Sequence, residues 1–197
     1  MQVSINYTNV SVAEIKKDFY LEIFCPQKSE QLENIALTIK LLYFYCDMLK
    51  GQYPSDLESL LCRDIIITSY SVIDGLVGCL GYKIQSQCYN CKNRCNCFSQ
   101  SLFKDDEVKN ERNLFINADK YLRLHKIIDL TPSAREYYDN YREARNNVHL
   151  TKNAPVITAD SRFTRERCRQ SIQFLNNFVE MLHVNYTSFV KKNKCFR

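Results

Sequence analysis

One short segment of the chain concentrates side chains that bind phosphate and exchange protons. It reads REARNNVH from Arg142 to His149. Arginine offers planar, permanently charged donors that match phosphate oxygens, and histidine exchanges protons near neutral pH without special tuning. On an α-helix, residues three, four and seven positions apart lie on one side. Arg142, Arg145 and His149 would therefore share one face, with Asn146 beside them, and that face suits a phosphodiester.

The chemistry that this face predicts does not use a metal ion. No cluster of carboxylates for two-metal catalysis accompanies the segment. The net charge of +5 is compatible with a nucleic-acid partner but does not require one. The ordinary alternative is that the two arginines and the histidine belong to a solvated, salt-bridged helix face.

A second segment has the composition of a metal site. Cys88 and Cys91 form a CxxC pair, and Cys95 and Cys97 follow as a CxC pair. Two closely spaced pairs can close a tetrahedral Zn(II) site, which would be structural because a short irregular segment has little core of its own. Reduced thiols, redox pairing and another metal cluster stay open as alternatives.

The other cysteines lie at apolar helical positions. Cys46, Cys62 and Cys79 are each expected to be core residues. His125 and His183 also lie on apolar helix faces, and we expect both to be structural.

The elements that must position these residues are expected to be helices. The chain has 197 residues, four glycines and four prolines, which favours one all-α domain over residues 1–197. Apolar periodicity and capping signals predict an up-and-down bundle with a Cys-rich insertion at 87–109. Its helices are expected from Ser11 to near Cys25, from Ser29 to Gly51, from Ser55 through Ile84 as one helix or a pair, from Leu114 to Ile128, from Thr131 through Val148, and from Asp160 or Ser161 to about Val190.

The chain resembles the HEPN superfamily in two respects: the segment from Arg142 to His149, and the order of the predicted helices around it. HEPN domains are bundles of four or five helices with a motif of an arginine, four to six residues and a histidine, usually with a polar residue after the arginine. Arg142 fits the spacing to His149, whereas Arg145 with Asn146 fits the Arg-Asn signature at a shorter spacing. Both arginines stay candidates for the family's role.

The resemblance covers roughly residues 30 to 190, apart from the Cys-rich segment. Residues 69–76 are similar to an earlier HEPN helix with an inward acidic residue, here Asp74. The resemblance implies that Asp74 holds an arginine in an ion pair. A hydrogen bond from Asp74 to a hydroxyl at a helix interface is the alternative.

The resemblance further implies a homodimer in which two motif helices build one composite site. In such enzymes the 2′-hydroxyl of RNA attacks its own phosphate and leaves a 2′,3′-cyclic phosphate. His149 would shuttle a proton, Arg142 or Arg145 would stabilise the charged phosphorane, and Asn146 would orient a neighbour.

The expected function is a metal-independent endoribonuclease that acts on RNA in phage defence or as a toxin, with an antitoxin or regulatory protein as a further partner. Two alternatives remain. One is a non-catalytic HEPN module that dimerises and binds RNA, a nucleotide or a protein, and the other is a zinc-stabilised interaction protein.

The sequence favours a cytoplasmic protein without a membrane partner. The first residues lack a basic start followed by an apolar run, so no signal peptide is expected. The most apolar stretch, Ile65 to Leu80, is interrupted by Asp74 and is too short to span a bilayer, so we expect a buried helix there.

Overall fold

The computed structural model describes residues 10–25, 30–89, 111–146 and 163–192. Across these ranges the regular structure is helical and no strand occurs, which confirms the all-α prediction. The helices are α1 Val12–Asp18, α2 Leu21–Phe24, α3 Glu30–Met48, α4 Ser55–Tyr89, α5 Glu111–Leu124, α6 Pro132–Asn146 and α7 Arg165–Lys192. Cys91, Cys95 and Cys97, with the rest of the predicted insertion after Tyr89, lie outside the described residues.

The chain divides into two compact units. Unit 1 comprises Met1–Ile15, Ala36–Val72 and Leu130–Asn176, and unit 2 comprises Lys16–Ile35, Ile73–Asp129 and Asn177–Arg197. Helices α1, α3, α4 and α7 each contribute residues to both units. Each unit has its own buried apolar side chains.

Unit 1 has a core of aliphatic and aromatic side chains. Its fully buried members include Ile39, Leu42, Cys62, Ile65, Ile66, Tyr138 and Leu175. Four rings from α4, α6 and α7 pack against one another with centroids 5.2 to 6.4 Å apart. We call these rings, Tyr70, Tyr137, Tyr138 and Phe174, the aromatic cluster.

Unit 2 buries apolar side chains from α2, α4, α5 and α7. They include Leu21, Phe24, Ile73, Leu76, Leu80, Ile84, Leu122, Phe178 and Leu182. His125 packs beside Tyr121 and Phe189, with ring centroids 4.3 and 5.2 Å away. The His183 ring stacks on Tyr20 at 3.8 Å.

Two helix starts follow the sequence signals closely. The Ser11 backbone N–H donates to the Glu14 carboxylate at 2.7 Å, and the Glu14 N–H donates to Ser11 Oγ at 3.2 Å, which is the predicted capping box. The Ala134 N–H donates to Thr131 Oγ1 at 3.3 Å, so Thr131 caps α6 as predicted.

The first predicted helix is interrupted. It was expected to continue from Ser11 to near Cys25, but α1 ends at Asp18 and α2 begins at Leu21. Tyr20 between them has φ 53, in the left-handed region. Its ring stacks on His183 and its hydroxyl donates to Glu180 at 3.1 Å, so contacts with α7 stabilise this conformation.

Two other boundaries also differ from the predictions. The last helix begins at Arg165, because Thr164 Oγ1 accepts the Arg167 N–H at 3.3 Å, rather than at Asp160 or Ser161. Helix α4 is a single helix that includes residues 65–68. It continues to Tyr89, past the predicted start of the Cys-rich insertion at Gln87.

Helix α4 is longer than its apolar stretch suggested. Its segment Ser55–Ile84 is long and apolar enough to cross a bilayer by length and composition, whereas the expectation of a buried helix concerned the shorter stretch Ile65 to Leu80. A core helix meets the same criteria, and 61% of the most apolar window is buried inside the protein. The assignment of α4 as a core helix stays a prediction.

Candidate functional site

The predicted motif begins in the last two turns of α6. Helix α6 runs without interruption from Pro132 to Asn146, so its backbone carries Arg142, Arg145 and Asn146 at helical spacing. The side-chain positions of these three residues, and His149 entirely, lie outside the described part of the structure.

The first half of α6 is anchored in unit 1 by the aromatic cluster. Tyr138 is 0% exposed, and its ring lies 6.2 Å from Tyr70 and 6.3 Å from Phe174. The Tyr137 hydroxyl lies 3.3 Å from Ser171 Oγ, within hydrogen-bond distance. Since Ser171 is also fully buried, α6 is fixed against α7 about one turn before the motif.

Helix geometry relates the two motif arginines to this anchor. At 100° per residue, position 145 lies about 20° from position 138 around the helix axis, position 142 about 40° and position 146 about 80°. Tyr138 faces the core of unit 1, and Arg135, Asp139 and Asn140 are exposed. By helical spacing alone, position 145 follows the direction of Tyr138 more closely than position 142 does.

Asp74, the predicted acidic partner, lies in α4. Its side chain is half-buried and belongs to unit 2, whereas Arg142 and Arg145 belong to unit 1. An ion pair between Asp74 and either arginine stays a prediction.

The predicted zinc ligands fall mostly beyond the described ranges. Cys88 lies in the last turn of α4, and Cys91, Cys95 and Cys97 are not among the described residues. Within the ranges that are described, no group of three or more His, Cys, Asp or Glu side chains could hold a metal ion.

The two histidines assigned to structural roles contact aromatic rings. His125 Nε2 is buried and has no hydrogen-bond partner within the described ranges, and burial lowers the pKa of this imidazole. His183 lies flat on Tyr20.

Two cysteines of unit 1, Cys62 and Cys168, lie close together, a contact that no local signal in the sequence predicts. The Cys168 thiol donates to the backbone oxygen of Cys62 at 3.4 Å, although the two residues are 106 positions apart. Burial raises the pKa of both thiols, and it raises the pKa of Cys46 to about 11. Cys62 and Cys168 are buried, as expected of core residues, and Cys46 is half-buried.

Comparison with known proteins gives no match: no protein-family model, curated protein or solved structure is similar to the chain. The interpretation of α6 therefore rests on the motif residues, their helical spacing and the anchoring of the helix that carries them.

Proposed function

We propose that this chain is a cytoplasmic, metal-independent endoribonuclease of the HEPN type that acts on RNA as a homodimer. One observation supports this most: α6 continues as an unbroken helix through Asn146 and carries Arg142 and Arg145 beyond a fixed anchor at Tyr138. An anchored helix is the element that such a site needs, because catalysis depends on holding charged groups at defined positions around the phosphate.

The proposed reaction needs only a base, an acid and positive charge. The 2′-hydroxyl gives up its proton, its oxygen forms a bond to the adjacent phosphorus, and the bond from phosphorus to the 5′-oxygen breaks. His149 of one subunit exchanges these protons, and the 5′-oxygen leaves as a hydroxyl. An arginine stabilises the charge on the phosphorane oxygens, as a bidentate donor does best. Asn146 orients a neighbouring group.

The test is RNA cleavage by the purified protein in EDTA, followed by analysis of the product ends. Ends with 2′,3′-cyclic phosphate that disappear in His149→Ala are expected. Arg135→Ala is the matched control, because Arg135 is an exposed arginine on the same helix, two turns before Arg142 and about 20° from it around the axis. Arg135→Ala should keep full activity if the motif residues form a site. If α6 is only a basic surface, Arg135→Ala should lose activity as the motif variant does.

The second candidate is a non-catalytic HEPN module that dimerises and binds RNA, a nucleotide or a protein. Intact RNA after prolonged incubation, together with RNA retention in a filter assay, would favour it. Growth arrest on expression that requires His149 would instead favour a toxin or phage-defence nuclease, which needs an antitoxin or another regulatory protein to restrain it.

We also propose that Cys88, Cys91, Cys95 and Cys97 hold a structural zinc ion. Cys88 lies in the last turn of α4, and a CxxC pair that starts there could supply the first two ligands. Metal analysis should find one zinc per chain, lost in the variant Cys88→Ser with Cys91→Ser and kept in Cys46→Ser. Protein that contains no zinc after purification without chelator would contradict this proposal.

A further inference from the structure

An exposed arginine of α7 lies in line with the residues that hold α6. Ser171 and Phe174 both contact Tyr137 of α6, with 3.3 Å between the hydroxyl oxygens and 5.2 Å between the ring centroids. Arg167 precedes Ser171 by four residues, so it lies about 40° from Ser171 and about 20° from Phe174 around the helix axis. Arg167 is exposed, whereas Ser171 is fully buried. This side of α7 therefore changes from a packed surface at Ser171 to an exposed one at Arg167.

Two contacts along α7 show the direction in which α6 runs. The Asp129 N–H, three residues before α6 begins, donates to Met181 Sδ at 3.4 Å. Tyr137, in the second turn of α6, contacts Ser171, which is ten residues nearer the start of α7 than Met181. The chain therefore moves towards the start of α7 as it advances through α6, and the two helices are antiparallel.

Arg167 is consequently level with the motif end of α6. From Tyr137 to the backbone of Arg142 the rise is about 7.5 Å, and from Ser171 back to Arg167 it is about 6 Å. Both rises start at the same contact and run in the same direction, so the Arg142 and Arg167 backbones lie at about the same height. Packed helices have axes about 8–10 Å apart, so an RNA strand bound at this height on α6 also reaches α7.

Arg167 also differs from most other arginines in its partners. The structure describes the side chains of six arginines, and four of them form ion pairs: Arg63 with Asp64, Arg123 with Asp119, Arg165 with Glu58, and Arg169 with Glu166. Within the described ranges Arg167 and Arg135 form no ion pair with a carboxylate. Arg135 lies in the first turn of α6, away from the motif end. Arg167 is thus the described arginine at the motif end whose charge no described carboxylate neutralises.

A neighbouring glutamine holds the Arg167 guanidinium on one side. Oε1 of Gln170 accepts from Nη1 of Arg167 at 3.0 Å, and Nε2 of Gln170 donates to Oε1 of Glu166 at 3.1 Å. A guanidinium has five N–H donors, and the bond to Gln170 uses one of them. The donors that remain can form the bidentate pair with two phosphate oxygens for which a planar guanidinium is suited.

We propose that Arg167 binds a backbone phosphate of the RNA strand beside the motif helix, so that the strand crosses the first turns of α7. This inference rests on the proposed function, because RNA is the ligand of that site. A phosphate contact neutralises one charge of the strand and releases a counterion, and it does not read the base. Arg167 therefore contributes affinity for RNA of any sequence, and it is a binding residue with no part in the proton transfers.

The test measures binding of the full chain to a fluorescently labelled single-stranded RNA of mixed sequence. All variants carry His149→Ala, so that the RNA stays intact during the titration. Adding Arg167→Gln should weaken binding about three- to tenfold, as the loss of one charged hydrogen-bonded contact does. It should also reduce the slope of log K against log salt concentration by about 0.7, the value for one phosphate of a single strand.

Two further variants control for charge and geometry. Arg169→Gln removes the same charge two residues away, about 160° from Arg167 around the axis, at a side chain that is 77% exposed. It should leave the affinity and the salt slope nearly unchanged. Arg167→Lys should restore the slope but only part of the affinity, because lysine keeps the charge without the planar fork. Helical circular dichroism of each variant controls for folding.

The outcomes distinguish this inference from the proposed nuclease. The role of Arg167 is overturned if Arg167→Gln binds RNA as tightly as its parent, or if Arg169→Gln loses as much affinity, and RNA cleavage in EDTA then still decides the nuclease. Weaker binding in Arg167→Gln, with a wild-type protein that never cleaves RNA, supports the role of Arg167 and removes the nuclease. A parent protein that does not bind the RNA at all also overturns the role of Arg167.

Discussion

The guanidinium of Arg165 forms an ion pair with the Glu58 carboxylate at 2.7 Å and joins the first turn of α7 to the first turn of α4 within unit 1. The same guanidinium donates to the backbone oxygens of Leu49 at 2.8 Å and Gly51 at 3.0 Å. Those oxygens follow the end of α3, where carbonyl groups lack partners within the helix. One side chain therefore connects three helices.

Replacing Arg165 should destabilise the protein measurably. Arg165→Ala removes three hydrogen bonds, and because the side chain is 38% exposed, water replaces part of them. We expect the free energy of unfolding to fall by about 1–2 kcal/mol in urea titrations. Arg169→Ala is the matched control, since Arg169 is one turn away, 77% exposed and 3.6 Å from Glu166. A loss as large in Arg169→Ala would show that overall charge, and not the Arg165 contacts, is responsible.

The stability of the protein should depend on the protonation of His125. Burial lowers the pKa of this imidazole from its ordinary value of 6.5, so below that pH the unfolded chain takes up the proton first. Stability is therefore complete above pH 6.5 and is lost as the pH falls through the lower pKa of the folded state. His125→Phe keeps a ring between Tyr121 and Phe189 and should flatten this part of the profile.

Urea unfolding at a series of pH values between about 8 and 5 measures this dependence. His183→Phe retains His125 and should retain its contribution to the slope. Equal slopes for wild type and His125→Phe would mean that another group is responsible.

Two glycines of α4 should respond oppositely to alanine. A Cβ at Gly78 would meet nothing within 4 Å, so Gly78→Ala should stabilise the protein by about 0.5–1 kcal/mol through reduced backbone freedom of the unfolded chain. At Gly75 the added Cβ would lie 3.0 Å from Cγ1 of Ile35, tighter than normal contacts. Gly75→Ala should show no gain or a loss in thermal unfolding. A larger gain at Gly75 would contradict the close packing of α3 against α4 there.

The two motif arginines should affect different kinetic constants. On the helix that the sequence predicts through His149, Arg145 lies one turn from the histidine, about 6 Å along the axis, and Arg142 lies about 10 Å away. Across the shorter distance, Arg145 and His149 can contact the same phosphate, the one that reacts. Arg145→Ala should therefore mainly lower kcat. Arg142→Ala should mainly raise KM, because that side chain would contact a neighbouring phosphate. Steady-state cleavage of a short RNA distinguishes them, and the reverse pattern would assign the roles the other way round.

Local signals in the sequence were enough to predict most of the helices. Ser11 with Glu14, and Thr131 before Pro132, each act within one turn of chain, so the residues that form the cap are adjacent in the sequence. Residues 65–68, three isoleucines and a threonine, are β-branched and favour strands on propensity alone. They are nevertheless helical, as the helical period of their neighbours predicts.

The features that were missed depend on distant contacts. Nothing near Tyr20 predicts its left-handed backbone, because the stabilising partners are Glu180 and His183 on α7. The approach of Cys168 to Cys62 likewise depends on how α7 and α4 pack in unit 1, and apolar periodicity predicts only that each is buried. For the candidate site, the sequence supplied the residues, and the structure adds the anchor at Tyr138.

The aromatic cluster also supplies an optical signal. The chain contains 13 tyrosines and no tryptophan, so tyrosine dominates its near-ultraviolet absorption. Rings held rigidly in a chiral environment give near-ultraviolet circular dichroism, which vanishes when side-chain packing is lost even if helices persist. A single tryptophan introduced by Phe174→Trp, beside Tyr137 at 5.2 Å, would give fluorescence from one known location. Its emission would follow the attachment of α6 to α7, and hence the support of the motif helix, separately from the rest of the protein.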